Sequence, residues 1–218
     1  MSIPAKITSK TVERKKREKA AKRESILNAT QKLFRDEGVA NLTMQDIARA
    51  NDYSIGTLYL YFKSKDDIYA ALAARGCRLI DSKLSELVAE EGRPARPQVV
   101  DFLRHALSTL QEYSGYFDLL SALSRGGVQP EISQENLLDL LSVTSSSLEK
   151  AGDLLRRSNP SLSLQPDQLA DRVLLLWAQL LGVAQIFGTE RSTLFATHSC
   201  DSLVELMADL IMIPEHKN

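Results

Sequence analysis

The chain is poor in the residues that build metal centres and covalent frameworks. Two cysteines and three histidines in 218 residues argue against a disulfide-stapled scaffold or a cysteine-rich zinc module. Cys77 and Cys200 stand far apart without a CxxC pair and fit reduced thiols. His198 and Cys200 form an HxC pair that no second pair completes, so neither a metal nor a cofactor is expected. Catalytic groupings are missing as well: no phosphate-cradling glycine loop, no nucleophile beside a base, no clustered carboxylates. An enzyme is not expected. Long apolar runs are equally scarce. The segment VLLLWAQLLGVAQIFGT, residues 173–189, carries no charge, yet two glutamines and two glycines interrupt it. It falls short of the ~20 apolar residues that span a bilayer, so it reads as a buried helix and no membrane partner is expected. The basic start has no apolar stretch behind it; no signal peptide is expected, and the location implied is cytoplasmic.

Charge of one sign is also nearly absent in the total, which is −1. That figure alone points away from nucleic acid, but its distribution points back. Residues 1–35 hold eleven Lys/Arg against three Glu, and the first 69 residues together reach +5. The remainder is therefore acidic. A basic front on an acidic body is expected where one part meets a polyanion and the other does not; a solvated tail is the alternative.

What the sequence has in abundance is helical periodicity, with no useful run of alternating residues. The fold class expected is all-α, about nine helices. Residues 1 to about 12 read as unstructured. From about Glu13 a helix runs to Gly38, where a left-handed C-terminal cap is wanted. Thr43 with Asp46 makes an approximate capping box for a very short helix. NDYS is a turn in which Asn51 and Asp52 tolerate left-handed backbone and Ser54 caps the next helix. Ser64 with Asp67 starts a long helix from Lys65 to about Glu91. Pro97 suits the first position of another helix. Further helices are expected at 98–114, 116–124, 131–157, 167–187 and 193–213, broken by glycine and proline clusters.

Helices as short as those of 43–62 hold together only against neighbours. Met44, Ile47, Ala48, Leu58 and Phe62 can share a core with Leu33, Phe34, Val39 and Leu42. Thr43, Gln45, Ser54, Thr57, Tyr59, Leu60 and Tyr61 remain for the outer side. Two short helices joined by a four-residue turn make a helix-turn-helix, whose second helix enters a DNA major groove. Tyrosine hydroxyls on stiff side chains can donate to phosphates, and Lys63 and Lys65 add charge. Tyr59 and Tyr61, two apart, cannot share one helix face, so at least one must face solvent or phosphate.

The run LTMQDIARANDYSIGTLYLYFKSKDDIYAAL resembles the helix-turn-helix of TetR-type (TetR/AcrR) transcriptional regulators. The resemblance is carried by Thr43, Ile47, Ala48, Ser54, Gly56, Thr57, Leu58, Tyr59, Tyr61, Phe62, Ser64, Lys65 and Ile68, and covers roughly residues 22–82. It implies a three-helix DNA-binding domain (22–82, motif 43–62) and a larger C-terminal helical domain for dimerisation and ligand binding (83–218), behind the basic N-terminal arm (1–21) that the charge distribution marks. The implied partners are a double-stranded operator and a second copy of the chain. The function expected is a repressor released from a near-palindromic operator by a hydrophobic small molecule; the alternative is a DNA-binding regulator or architectural protein with no effector. Departures fall in the turn, where Asn51-Asp52-Tyr53 replaces the usual Ala-Gly-Val, and at Ile55 and Leu60, where polar residues are usual. Both lie near the expected DNA and can pack on thymine methyls, although Leu60 can also serve the local core. Gly56 either lets backbone approach DNA or relieves packing between the short helices. The arm from Glu13 to Arg23 is expected to follow the backbone or enter the minor groove, adding affinity more than specificity.

In the second half, 169–187 is apolar nearly all round, which calls for partners on more than one side; 202–213 behaves likewise. A four-helix dimer interface is expected through Leu176, Leu180, Val183 and Phe187 with Leu203, Leu206 and Leu210, the alternative being the buried centre of a monomer. A ligand cavity between the central helices is expected to draw on Phe102, His105 and Ala106, then Tyr113, Tyr116, Phe117 and Leu120, with Trp177 and Gln179. An aromatic stripe of this kind also suits plain core.

Overall fold

The computed structural model describes residues 5–37, 42–113, 130–159, 165–187 and 199–212. Among these there are eight helices and no strand. They are α1 (Ala5–Glu37), α2 (Met44–Ala50), α3 (Ile55–Tyr59), α4 (Lys65–Ala89), α5 (Ala95–Glu112), α6 (Gln134–Ser158), α7 (Pro166–Phe187) and α8 (Cys200–Met212). The helix expected at 116–124, the Gly38 cap and the start of the 193–213 helix lie outside the described residues.

Helix α4 is the axis of the molecule. Ile68 through Ala74 are all buried, seven in succession, so this part of α4 is covered on every side. Helix α1 packs across its start, while α5 and α6 flank its length. Four of those seven residues are alanines, small enough for neighbouring helices to approach closely. Helices α7 and α8 lie on α5. The small helices α2 and α3 are held between α1 and the start of α4 by Phe34, Leu42, Ile47, Leu58 and Phe62, each at most 6% exposed.

Several boundaries differ from the sequence expectation, three of them for clear physical reasons. Helix α1 begins at Ala5 instead of near Glu13. Once the buried half of a helix is folded, each added residue gains a hydrogen bond without a new nucleus, and nothing between Ala5 and Lys22 is Gly or Pro. Helix α5 begins at Ala95, which puts Pro97 third in the helix. Its missing N–H is still among the four that no carbonyl reaches. Helix α4 stops at Ala89, the Glu90 N–H closing on the Glu86 carbonyl.

Helix α7 is not buried all round. Leu169, Val173, Leu176, Leu180 and Ala184 form one inward stripe. Leu174 and Leu175 face outward, 64% and 63% exposed.

Candidate nucleic-acid interface

The interface is built from two capped mini-helices and the turn between them. Thr43 Oγ1 accepts the Asp46 N–H at 3.2 Å, and the Asp46 carboxylate accepts the Thr43 N–H at 3.0 Å. Hydrogen bonds from the Thr43 hydroxyl and N–H hold the Asp46 carboxyl below its ordinary pKa. Asn51 closes the helix, its Nδ2 donating to the Ile47 carbonyl at 2.8 Å. Asp52 follows with φ of 55°, a left-handed conformation that short polar side chains tolerate best after glycine. Ser54 then opens α3, its Oγ accepting the Thr57 N–H at 3.1 Å.

Five helical residues turn one buried anchor inward, Leu58. The rest of the face is outward: Ile55 is 44% exposed, Tyr59 51% and Leu60 74%. Gly56, Thr43, Gln45 and Lys63 are exposed beside them, and Thr57 is half-buried. Of the two tyrosines, Tyr59 points to solvent and Tyr61 is half-buried against the core edge. Leu60 adds nothing to the local core at that exposure. A Cβ built on Gly56 meets nothing nearer than Ser54 Oγ at 3.9 Å, so no packing inside the protein demands glycine there. Lys65 is half-buried, with its ammonium 5.6 Å from the centre of the Tyr69 ring.

The end of α3 is tied to the second half of the chain by a polar junction. Asp67, 2% exposed, accepts from the Ser133 N–H at 2.9 Å, the Ser133 hydroxyl at 2.7 Å and Asn136 Nδ2 at 2.6 Å. Its other oxygen accepts the Lys63 N–H at 3.1 Å. Burial works to raise the Asp67 pKa, and these donors more than offset it, leaving the carboxyl below its ordinary value. Arg23 joins from α1, donating to Asn136 Oδ1 and lying 4.4 Å over the Phe62 ring.

Residues 26–72 match the sequence profile of bacterial regulatory proteins of the tetR family. Residues 26–72 are thus similar to the DNA-binding part of tetR-family regulators. An uncharacterized HTH-type transcriptional regulator of Haemophilus influenzae is 40% identical over 52 residues, 24% of this chain and 28% of that protein. The chain thus matches just over a quarter of that relative's length. Solved structures resemble it over a longer stretch at low identity. The TetR-family regulator PfmR of Thermus thermophilus has a TM-score of 0.62 at 18% identity, over 88% of this chain and 96% of its own. Thermus thermophilus FadR, a TetR-family repressor in complex with lauroyl-CoA, has a TM-score of 0.61 at 15% identity, over 90% and 97%. The likeness to these structures extends through the helical second half and is one of fold.

Beyond that domain, the residues expected in one ligand cavity do not gather. Phe102 and Trp177 meet at a void of about 10 Å³ closed by Ile80, Leu84 and Leu180, which is ordinary core. Ala106 is fully buried, and Tyr113 packs its ring against Gly76. His105 Nε2 lies 3.3 Å from the Leu79 carbonyl. Gln179 is exposed, on an outer groove beside Leu210. Tyr116, Phe117 and Leu120 lie outside the described residues. A larger cleft of about 530 Å³ opens between α6 and α7 over Leu148, Leu169, Val173 and Leu174, with Glu149 and Arg156 at its edge. None of the expected residues lines it. It contains no aromatic ring, the signal on which the sequence reading relied.

The interface residues expected on α7 need a correction. Leu176 and Leu180 are 3% and 0% exposed and are taken up by the protomer's own core. Val183, Phe187 and Leu203 are half-buried, while Leu206 and Leu210 are exposed. The outward apolar positions on α7 are Leu174 and Leu175, on the opposite side of the helix and outside the expected interface set.

Proposed function

We propose that the chain is a dimeric DNA-binding transcriptional regulator, acting as a repressor whose grip on a near-palindromic operator is released by a hydrophobic ligand. The observation that carries the DNA reading is the outward face of α2 and α3. It combines exposed Ile55, Tyr59 and Leu60 with a glycine that the protein's own packing does not require. Bare backbone at Gly56 allows close approach to a groove wall, and Tyr59 and Lys63 reach phosphate oxygens on either side. Ile55 and Leu60 supply apolar contact for thymine methyls. Two-fold pairing sets two such helices one turn of duplex apart, about 34–36 Å.

The apolar outer faces of α7 and α8 support pairing with a second copy, since exposed leucines on adjacent helices invite a bundle. The cleft between α6 and α7 supports a ligand, because its size lies within the ~300–1,000 Å³ of small-molecule sites. The acyl-CoA bound by Thermus thermophilus FadR is the precedent for an acyl chain over apolar walls. A regulator without an effector is the second reading, favoured by the closed core around Phe102 and Trp177.

Selection of duplexes from a random pool tests the DNA reading, with a recurrent near-palindromic sequence expected. A thermal-shift series with lauroyl-CoA separates the two readings of the second half. Stabilisation coupled to release of the selected duplex supports the ligand reading, and no shift with undiminished DNA binding supports the other.

A further inference from the structure

The first half of α1 extends away from the buried core. Residues 10–22, thirteen in succession, are all exposed. They carry Lys10, Arg14, Lys15, Lys16, Arg17, Lys19 and Lys22 against Glu13 and Glu18. A helix that is polar all round needs either internal ion pairs or something to span. Arg14 and Glu18 form one i,i+4 pair at 3.6 Å, both well exposed, and an exposed pair of this kind adds little to helix stability.

Its direction, however, is fixed. Arg23 sits where the exposed stretch joins the folded body, stacked over Phe62 and hydrogen-bonded to Asn136. That anchor aims the helix past the end of α3. Lys15, Lys19 and Lys22 follow a 4-and-3 spacing, which places them on one side. With Glu18, Leu60 and Tyr61 they line a groove of about 310 Å³, and the Glu18 carboxylate is paired with Arg14. One wall of this groove therefore carries three ammonium groups against one carboxylate, and the other is the end of α3.

We propose that this groove seats the phosphate backbone of duplex flanking the base-read site, gripped by Lys15, Lys19 and Lys22. The proposal rests on the DNA-binding reading of α2 and α3 and extends it to a second surface. Thirteen helical residues rise about 20 Å, the length of roughly six base pairs of duplex. The grip is electrostatic and indifferent to sequence, because lysine offers a point charge to phosphate and no base-reading geometry.

The test uses the full chain, wild type and Lys15→Gln/Lys19→Gln/Lys22→Gln, on selected duplexes with and without about ten flanking base pairs. Log Kd is followed against log salt. On the long duplex the triple variant should lose up to about 0.9 of slope for each lysine removed in each protomer. On the short duplex the two proteins should have equal slopes. An unchanged slope on the long duplex overturns the proposal, and so does an equal loss on both duplexes. Gly56→Asp, run in parallel, keeps the two readings apart: if it abolishes binding while the lysine variant changes nothing, only the arm proposal fails. A wild-type chain that binds no duplex overturns both. Binding of wild type, and not of the triple variant, to phosphatidylglycerol vesicles with unaltered duplex slopes assigns the lysines to an anionic membrane surface and overturns the proposal.

Discussion

Asn136 donates its side-chain amide to the buried carboxylate of Asp67 at 2.6 Å and to the Asp67 carbonyl at 3.1 Å. The two residues are 69 apart in sequence. This pair fastens the start of α6 to the α3–α4 junction, which also carries Lys63. Replacing Asn136 with Leu leaves buried Asp67 short of a donor, and a stability loss of about 1–3 kcal/mol is expected in denaturant melts. Asp67 also carries a pH signature. Its lowered pKa means the contribution is present above the ordinary value of 3.8 and lost as pH falls through the folded pKa. Between pH 6 and pH 3, Asp67→Asn should lose less Tm than wild type, although it starts lower.

Gly56→Ala separates stability from function. The new methyl has open space around it, its nearest neighbour at 3.9 Å, and alanine favours helix over glycine by roughly 0.5–1 kcal/mol. Melting temperature should rise or hold while affinity for a selected duplex falls at least tenfold. Equal affinity would return Gly56 to a role without DNA.

Gly76→Ala acts in the opposite sense. Its Cβ would stand 3.1 Å from Cγ of the buried Tyr113 ring, so overpacking should cost about 1–3 kcal/mol. Tyr113→Leu in the same background should recover part of the loss, as measured by urea unfolding.

Asp52 occupies left-handed backbone at φ 55°, where TetR-type sequences usually carry glycine. Asp52→Gly should leave folding intact or raise stability slightly. Asp52→Val should lower it by roughly 1–2 kcal/mol, because a branched side chain is strained there. Thermal melts of the pair give the comparison.

The two sides of α7 should respond differently. Leu180→Ala empties a fully buried site and should cost about 2–5 kcal/mol. Leu175→Glu with Leu210→Glu, both on exposed leucines, should leave the monomer folded by circular dichroism and shift sedimentation towards monomer. A dimer that survives the double substitution places its interface elsewhere.

The mini-helices were legible because their signals are local. Thr43 with Asp46, Ser54 with Thr57 and the Asn51-Asp52 turn each act within three residues, and period and caps identify them from sequence alone. What escaped depends on distance or on degeneracy. Asp67 could be read as an N-terminal residue of α4, but nothing near it in sequence names Ser133 and Asn136. Helix α7 is apolar on so many sides that periodicity cannot choose its inner face; packing chose Leu176 and Leu180 and left Leu174 and Leu175 outside. The extension of α1 to Ala5 depends on a folded downstream half that composition does not reveal. The cleft between α6 and α7 is floored by aliphatic residues that look like any helix core and rimmed by charged ones that look like any solvated face.

Amide hydrogen exchange with and without a selected duplex tests the central claim most directly. The account predicts that duplex slows exchange in residues 43–63, strongest across Ser54 to Tyr61, and secondarily in the first half of α1. Unchanged exchange throughout 43–63, with protection confined to α7 and α8, would contradict it.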